Sequence, residues 1–186
     1  MSRFAITDLP LQGLKSIERR NLGDSRGFLS RLFCAQDLAC AGWQKPVAQV
    51  NHSYAAKIGT VRGMHFQFPP HTEMKLVSCL RGRVWDVAVD LRGGSDTFLQ
   101  WHAEELSAGN HRALLIPEGF AHGFQAMTDD VELLYCHSAA YHEGAEGALN
   151  PRDLKLAIEW PLEISVISDA DAYRPMIDQR FAGFVL

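Results

Sequence analysis

Several features that define particular protein classes are missing from this sequence. Its 18 Lys and Arg residues are outnumbered by 22 Asp and Glu residues, so the net charge is −4. A basic surface for nucleic acid or an anionic membrane is therefore not expected. No apolar run is long enough to span a bilayer, and the first residues do not resemble a secretory signal peptide. We expect a protein with neither a nucleic-acid nor a membrane partner.

Cysteines are few, and their spacing excludes the common zinc motifs. Cys34, Cys40, Cys79 and Cys136 form no CxxC pair and have no histidines at zinc-finger intervals. Reduced thiols are the simplest interpretation, because disulfides persist mainly in oxidising compartments. The sequence therefore predicts a cytoplasmic location.

Helical periodicity is scarce, and β patterns dominate. Only 35–41 and 170–173 have the composition of short helices. The β-branched segment Val84–Asp90 predicts a strong strand, preceded by a tight turn at Arg81-Gly82. Further strands are predicted at 75–80, 97–106, 112–116 and 131–136. Such spacing, in a chain of 186 residues, predicts one all-β domain, either a sandwich or a barrel.

One motif narrows this fold class. Pro117 to His122 reads Pro-x-Gly-x-x-His and resembles the second motif of the cupin jelly roll. Proline is harmless at a strand end, and Gly119 permits the tight turn. The first cupin motif is incomplete, because His71-Thr72-Glu73 is a poor substitute for the His-x-His of metal cupins. We therefore predict a cupin jelly-roll barrel with a few short helices and no metal site.

A series of further segments follows in a characteristic order and spacing. The segments are 24–28, 49–53, 61–67 (Val-Arg-Gly-Met-His-Phe-Gln), 75–77, 86–92, 116–124, 134–135, 141, 160–161 and 168–171. In this order the sequence resembles the dTDP-4-dehydrorhamnose 3,5-epimerase family over nearly its whole length. Each segment alone is weak evidence, whereas the ordered set is specific.

The resemblance implies an epimerase that uses neither a metal nor a cofactor. Such an enzyme inverts C3, C5 or both in a nucleoside-diphosphate 4-keto-6-deoxy sugar, for deoxysugar and surface-polysaccharide biosynthesis. It implies His65 as the base, Asp171 as the residue that orients it, and Tyr135 as the acid. The substrate contacts that it implies are Arg26, Gln49, Asn51, Arg62, Lys75, His122, Tyr141 (stacked on the nucleotide base) and Glu146. It also implies a homodimer in which N-terminal strands join the partner's sheet.

The residue types suit this chemistry. A hydrogen next to a ketone is acidic because the resulting enolate spreads its charge onto the carbonyl oxygen. Histidine is a suitable base near neutral pH, and a carboxylate on its other nitrogen fixes its tautomer. A cation such as Lys75 stabilises an enolate, and guanidinium groups such as Arg62 and Arg26 bind phosphate oxygens in pairs.

Other interpretations stay open at this point. They are a cupin 3,4-ketoisomerase, a metal-dependent cupin and a cupin that binds a sugar without catalysis. Tyr135 also suits a core position, where its hydroxyl would need a partner. The histidines outside the motifs are interpreted as surface or structural residues: His52, His71, His102, His111, His137 and His142.

The sequence departs from the family pattern near the expected substrate. Arg31 stands where the family has a glutamate, and Ala170 replaces a basic residue. His52 and Tyr54 replace smaller residues beside Asn51. A charge reversal in a pocket changes what the pocket selects. We therefore expect the chemistry to be kept, with a GDP- or CDP-linked sugar as plausible a substrate as a dTDP-linked one.

Overall fold

The strands of the protein form two sheets that enclose a shared interior. The computed structural model describes residues 2–186. In chain order the strands are β1 (Phe4–Asp8), β2 (Lys15–Arg19), β3 (Leu22–Asp24), β4 (Gly27–Leu29), β5 (Gln49–Ala55), β6 (Val61–Gln67), β7 (Lys75–Arg81), β8 (Arg83–Asp90), β9 (Trp101–Ser107), β10 (Arg112–Ile116), β11 (Phe120–Ala126), β12 (Val131–His137) and β13 (Glu146–Ala148). The helices are α1 (Ala35–Leu38) and α2 (Asp169–Ala172), with 3-10 turns at Ala39–Ala41 and Glu143–Ala145.

The two sheets have the arrangement of a jelly roll. One has six strands in the order β1-β2-β10-β7-β12-β5, and the other has five in the order β13-β6-β11-β8-β9. Apolar side chains from both sheets meet in one cluster, which includes Val77, Leu114 and Phe124. The predicted all-β cupin-type fold is confirmed. None of the helices within residues 2–186 combines the length and the apolar character needed to cross a membrane.

Strand β8 is rich in apolar residues because both of its faces are buried. Val84 and Ala88 point into the interior between the sheets, whereas Val87 and Val89 pack in a second cluster on the opposite face. The C-terminal segment covers that outer face with residues such as Leu156. A strand buried on both faces need not alternate between apolar and polar residues, so apolar residues occupy both faces of β8 and only Asp86 interrupts them before Asp90.

The short helices lie where the sequence predicts them. The strand predicted at 97–106 begins later in the structure than expected. The stretch from Thr97 to Gln100 is a turn, and β9 starts at Trp101. The hydroxyls of Ser95 and Thr97 donate to the buried Asp90 carboxylate at 2.6 and 2.7 Å. These bonds hold the chain in a turn, because side-chain hydrogen bonds compete with strand pairing.

A close backbone approach places two histidines opposite each other. A Cβ atom added to Gly63 would lie 2.5 Å from the Cα atom of Gly123 and 2.8 Å from the carbonyl oxygen of His122. Only glycine fits there, since its φ of +123° is also in the left-handed region. Strands β6 and β11 consequently pack tightly, with His65 and His122 as paired residues.

The outer edges of the fold carry exposed apolar residues. Strands β3 and β4 form a separate two-stranded hairpin, whose Phe28 and Leu29 side chains are 66% and 71% exposed. Strand β1 pairs with β2 of its own chain, from Phe4 opposite Arg19 to Asp8 opposite Lys15. The other edge of β1 has no strand neighbour within residues 2–186.

Candidate active site

A cavity of about 490 Å³ opens between the two sheets, next to the edge strand β5. Its volume lies in the range of roughly 300–1,000 Å³ that is typical of small-molecule sites. The wall is formed by Gln49, Val50, Asn51, His52, Ser53, Arg62, His65, Phe66, Gln67, Glu73, Lys75, His122, Gly123, Phe124, Tyr135, His137, Tyr141 and Glu146. Polar and aromatic groups therefore dominate it.

The structure brings most of the predicted site residues together. His65 and Tyr135 line the cavity, and Asp171 contacts His65. The predicted substrate contacts in the wall are Gln49, Asn51, Arg62, Lys75, His122, Tyr141 and Glu146. Arg26 is the predicted substrate contact that does not line it, and Asp171 lies behind His65.

His65 and Asp171 form a tight pair. His65 Nε2 lies 2.7 Å from Asp171 Oδ1, and the Gly63 N–H donates to the other carboxylate oxygen at 3.4 Å. A carboxylate only accepts, so Nε2 carries a proton and Nδ1 is left as the basic atom. Burial alone raises the pKa of Asp171, but the hydrogen bonds and charge of His65 outweigh it, and the net pKa is lowered.

The local sequence explains how Asp171 reaches His65. Ser168 precedes α2 and its hydroxyl accepts from the Asp171 N–H at 3.1 Å, as a helix N-cap does. The cap satisfies the Asp171 backbone and leaves its carboxylate free to face β6. The side chain of Asp171 is only 7% exposed, whereas that of His65 is 45% exposed. The imidazole thus borders the cavity while its partner is shielded.

Tyr135 enters the cavity from the other sheet. It is on β12, and its hydroxyl accepts from Ser53 Oγ at 3.3 Å. Burial raises the pKa of Tyr135 well above its usual value, and the charge of Asp86 adds to this effect. The phenol therefore keeps its proton at neutral pH, which suits a proton donor.

A second histidine–carboxylate pair lies deeper in the barrel. His122 Nε2 is 2.8 Å from Asp86 Oδ1, with side chains 6% and 0% exposed. The other oxygen of Asp86 is buried and has no hydrogen-bond partner. The His122 ring meets the Tyr135 ring edge-on, with 5.9 Å between centroids. The sequence did not identify Asp86 as the partner of His122. The two residues meet only because β8 pairs with β11, and no local pattern predicts that pairing.

Lys75 is held by two partners. Its ammonium donates to the His65 carbonyl at 3.2 Å and lies 3.1 Å from Glu73 Oε1. The side chains of Lys75 and Glu73 are each 8% exposed. Gln67 also donates to Glu73. The hydrogen-bond and ion-pair partners of Glu73 are therefore an amide and a lysine.

The mouth of the cavity is more open. Tyr141 is 54% exposed, and its hydroxyl donates to Glu146 at 2.7 Å. Arg62 donates to the Tyr54 carbonyl at 3.1 Å and so leans towards β5. An exposed aromatic ring and a guanidinium group at one entrance can bind a flat base and a phosphate.

The structure places His137, which the sequence predicts to be a surface or structural residue, in the wall of the candidate site. It lines the cavity, and its side chain is 12% exposed. The signal was present in the sequence, because alternate residues of a strand share a face and His137 follows Tyr135 by two positions. His52 also borders the cavity, with Nε2 3.1 Å from Glu132.

Two arginines lie away from the cavity of their own chain. Arg26 is on the exposed β3–β4 turn, bonded to Asp24 at 3.1 Å. Arg31 contacts Asp37 at 3.5 Å, so the expected charge reversal does not fall inside this chain's own cavity. The role of Arg26 as a substrate contact stays a prediction.

No group of three or more His, Cys, Asp or Glu side chains within residues 2–186 is arranged to hold a metal ion. The ionisable side chains of the cavity are paired instead, as His65 with Asp171, His122 with Asp86 and Lys75 with Glu73. A histidine–carboxylate pair and a protonated tyrosine on facing sheets are suited to act as base and acid, the groups that an isomerase of the cupin class needs to move protons.

Comparison with known proteins gives the family. The profile of dTDP-4-dehydrorhamnose 3,5-epimerase matches residues 8–179. A dTDP-4-dehydrorhamnose 3,5-epimerase of Sinorhizobium fredii is 39% identical over 182 residues, covering 95% of this chain and 91% of the relative. The chain belongs to the dTDP-4-dehydrorhamnose 3,5-epimerase family, and the predicted isomerase class is confirmed.

Other relatives extend the comparison. A dTDP-4-dehydrorhamnose 3-epimerase of Streptomyces niveus is 37% identical over 164 residues, covering 88% of this chain and 79% of the relative. The epimerase of Legionella pneumophila, solved in complex with dTDP-4-keto-L-rhamnose, superimposes with a TM-score of 0.90 at 38% identity and covers 97% of both chains. The resemblance expected from the sequence motifs is confirmed over nearly the whole chain.

Proposed function

We propose that this epimerase acts on a dTDP-linked 4-keto-6-deoxy sugar and inverts C3, C5 or both. One observation carries the proposal: the His65–Asp171 pair and the protonated Tyr135 enter one cavity from different sheets. Inversion of a carbon next to a ketone needs a base on one side and an acid on the other. The dTDP unit is proposed because relatives across the family act on dTDP sugars.

In the proposed mechanism, His65 Nδ1 removes a proton from the carbon next to the ketone. The electron pair of the broken C–H bond moves onto the carbonyl oxygen and forms an enolate. Asp171, kept ionised by its lowered pKa, stabilises the resulting imidazolium. Lys75 provides positive charge for the enolate oxygen. Tyr135 then gives its proton to the other face of the carbon, and solvent restores both groups.

The mouth residues would hold the nucleotide. Tyr141 offers an exposed ring for stacking on the base, and Glu146 fixes the position of its hydroxyl at 2.7 Å. Arg62 supplies a guanidinium for the diphosphate. Gln49, Asn51 and His122 complete the proposed substrate contacts, with His122 at the buried end.

The number of inverted centres is a separate question. The 3,5-epimerase relative is 39% identical and the 3-epimerase relative is 37% identical. Relatives with one and with two inverted centres thus share this fold. Inversion of both centres requires the sugar to turn within the cavity so that C5 as well as C3 reaches His65.

Deuterium incorporation tests the proposed function directly. We expect incubation with a dTDP-linked 4-keto-6-deoxy sugar in D2O to place deuterium at C3, at C5 or at both, because the base exchanges its proton with solvent. NMR of the recovered sugar gives the label at each carbon. GDP-, CDP- and UDP-linked sugars serve as comparisons for the nucleotide. Absence of exchange with all four would rule out the epimerase.

We also propose that the protein is a homodimer. The β3–β4 hairpin exposes Phe28 and Leu29, and large exposed apolar groups next to each other mark interaction sites. The hairpin also carries Arg26, which lies outside the cavity of its own chain. A partner that covers the hairpin would bury these side chains, and the unpaired edge of β1 offers a further contact.

Substitution of the hairpin tests the dimer. We expect the double variant Phe28→Ser, Leu29→Ser to become monomeric, since two apolar anchors worth roughly 1.5–3 kcal/mol each are lost from the interface. Analytical ultracentrifugation measures the mass. Leu154→Ser is the control, because Leu154 is 89% exposed and lies outside the hairpin. A monomeric wild type, or a double variant that stays dimeric, contradicts the proposal.

A cytoplasmic location is proposed as well. Cys34, Cys40, Cys79 and Cys136 are all free thiols in the structure. Free thiols suit a reducing compartment.

A further inference from the structure

His137 is a buried cavity residue without a role in the mechanism described above. Its ring stacks on that of Tyr135, with 6.0 Å between centroids and 19° between planes. The strand register places it between Lys75 on β7 and Gln49 on β5. It therefore borders the proposed acid and two further residues of the cavity wall.

A chain of hydrogen bonds fixes the tautomer of His137. The Tyr141 N–H donates to Gln49 Oε1 at 2.9 Å, so the Gln49 amide nitrogen faces Asn51 and donates to Oδ1 at 3.0 Å. The Asn51 amide nitrogen in turn faces His137 Nε2 at 3.5 Å. Because Asn51 donates, Nε2 must accept. The ring proton is therefore on Nδ1, which points to Glu73 at 4.0 Å.

A second chain of hydrogen bonds begins at His142, the residue after Tyr141, and ends on Glu73. The His142 N–H donates to Gln67 Oε1 at 2.6 Å. The Gln67 amide nitrogen then donates to Glu73 and to the Ala140 carbonyl, the latter at 3.2 Å. Two consecutive backbone N–H groups are thus bound by glutamines from different sheets. The second chain ends on Glu73, and the first ends at His137, whose Nδ1 lies 4.0 Å from the same carboxylate.

The charge of His137 matters for Lys75. Burial and the charges of Lys75 and His122 lower the pKa of His137 to about 4, so the ring is neutral at pH 7. A protonated ring would repel the Lys75 ammonium and compete with it for Glu73, since like charges at short range are unfavourable in a buried site. The neutral ring leaves the carboxylate of Glu73 to Lys75 at 3.1 Å.

We propose that His137 is a positioning residue that, in its neutral Nδ1–H form, joins the 140–142 segment to the Glu73–Lys75 ion pair. The segment carries Tyr141 at the nucleotide end, and Lys75 lies at the end where the enolate forms. His137 thus bridges the two ends of the cavity, through the contact with Asn51 at 3.5 Å on one side and the approach of Nδ1 to Glu73 at 4.0 Å on the other. The catalytic part of this inference rests on the proposed function, in which Lys75 stabilises the enolate.

The tautomer is tested without a substrate. The full chain is labelled with 15N-histidine, and the His137 signals are assigned from their loss in the His137→Phe variant. We expect a protonated Nδ1 and an unprotonated Nε2 at pH 7, with this preference weakened in Asn51→Ala. An Nε2–H tautomer, or an imidazolium at pH 7, would overturn the proposal. This measurement does not depend on whether the protein is an epimerase.

The positioning role is tested by kinetics with a dTDP-linked 4-keto-6-deoxy sugar. His137→Phe keeps a ring beside Tyr135 but removes both nitrogens, and we expect kcat to fall about 10- to 100-fold because Lys75 is misplaced. The affinity for dTDP should change less than about threefold, since the ring does not touch the base in this scheme. His137→Gln has an acceptor and a donor in one amide and should recover most of kcat.

Three results would contradict the positioning role. They are equal losses in the Phe and Gln variants, unchanged kcat in His137→Phe, and an effect confined to KM or to dTDP affinity. The last result would make His137 a direct substrate contact. A wild-type protein inactive on every keto sugar would instead refute the proposed function, while the tautomer measurement would still decide whether the network exists.

Discussion

Replacement of His65 by asparagine is expected to lower kcat/KM by about 10²–10⁴-fold, the usual cost of losing a general base. Asparagine is shorter than histidine and does not reach Asp171 as Nε2 does at 2.7 Å, so the variant also loses the contact that ties β6 to α2 and its fold is checked by thermal unfolding. Loss of the basic nitrogen should also abolish deuterium exchange at both C3 and C5. Steady-state kinetics and NMR of the sugar measure the two effects.

The control for this variant is His102→Asn. His102 lies on β9, where its Nε2 is 2.9 Å from Glu104, and it does not line the cavity. It should keep full activity. If the His65 variant folds, as judged by its thermal unfolding, and still exchanges deuterium at the wild-type rate, then another residue is the base.

Replacement of Tyr135 by phenylalanine is expected to separate exchange from inversion. His65 remains, so deuterium should still enter the substrate, whereas formation of the inverted product should fall about 10²–10⁴-fold without the acid. The raised pKa of Tyr135 also predicts that activity does not decline at the pH of about 10 where an ordinary tyrosine ionises. The ratio of exchanged substrate to inverted product is the quantity to measure.

Tyr173→Phe is the matched control, because Tyr173 is 81% exposed and lies outside the cavity. It should leave both exchange and inversion unchanged. If inversion were as fast in Tyr135→Phe as in the wild type, the proton on the second face would have to come from another group, and Tyr135 would be a buried core residue with a satisfied hydroxyl.

Most strands were predictable from local patterns, and many of the residues that line the candidate site from the resemblance to the family. The β-branched run of β8 and the glycine at position 82 are enough to predict a strand and a turn. The order and spacing of the motifs resemble the family and so indicate His65, Tyr135 and Asp171. The early start predicted for β9 failed for a different reason. Asp90 and Thr97 meet only after the chain has turned, so the turn depends on a contact between side chains.

The site residues that the sequence did not identify depend on contacts between neighbouring strands. His137 has no motif of its own, and its position depends on the register that sets it beside Lys75 and Gln49. The pairing of His122 with Asp86 likewise requires β8 next to β11. Arg31 is the opposite case: its motif position indicated the cavity, but the chain places it against Asp37.

The contact between Gly63 and Gly123 has a practical consequence for redesign. It sets the spacing of β6 and β11 through backbone atoms alone, at a place where no side chain can be added. Substitution of either glycine is therefore expected to push β6 and β11 apart and to displace His65 relative to His122. Tyr141 lies on another segment at the open mouth, so we expect it to tolerate exchange without a shift of these two strands.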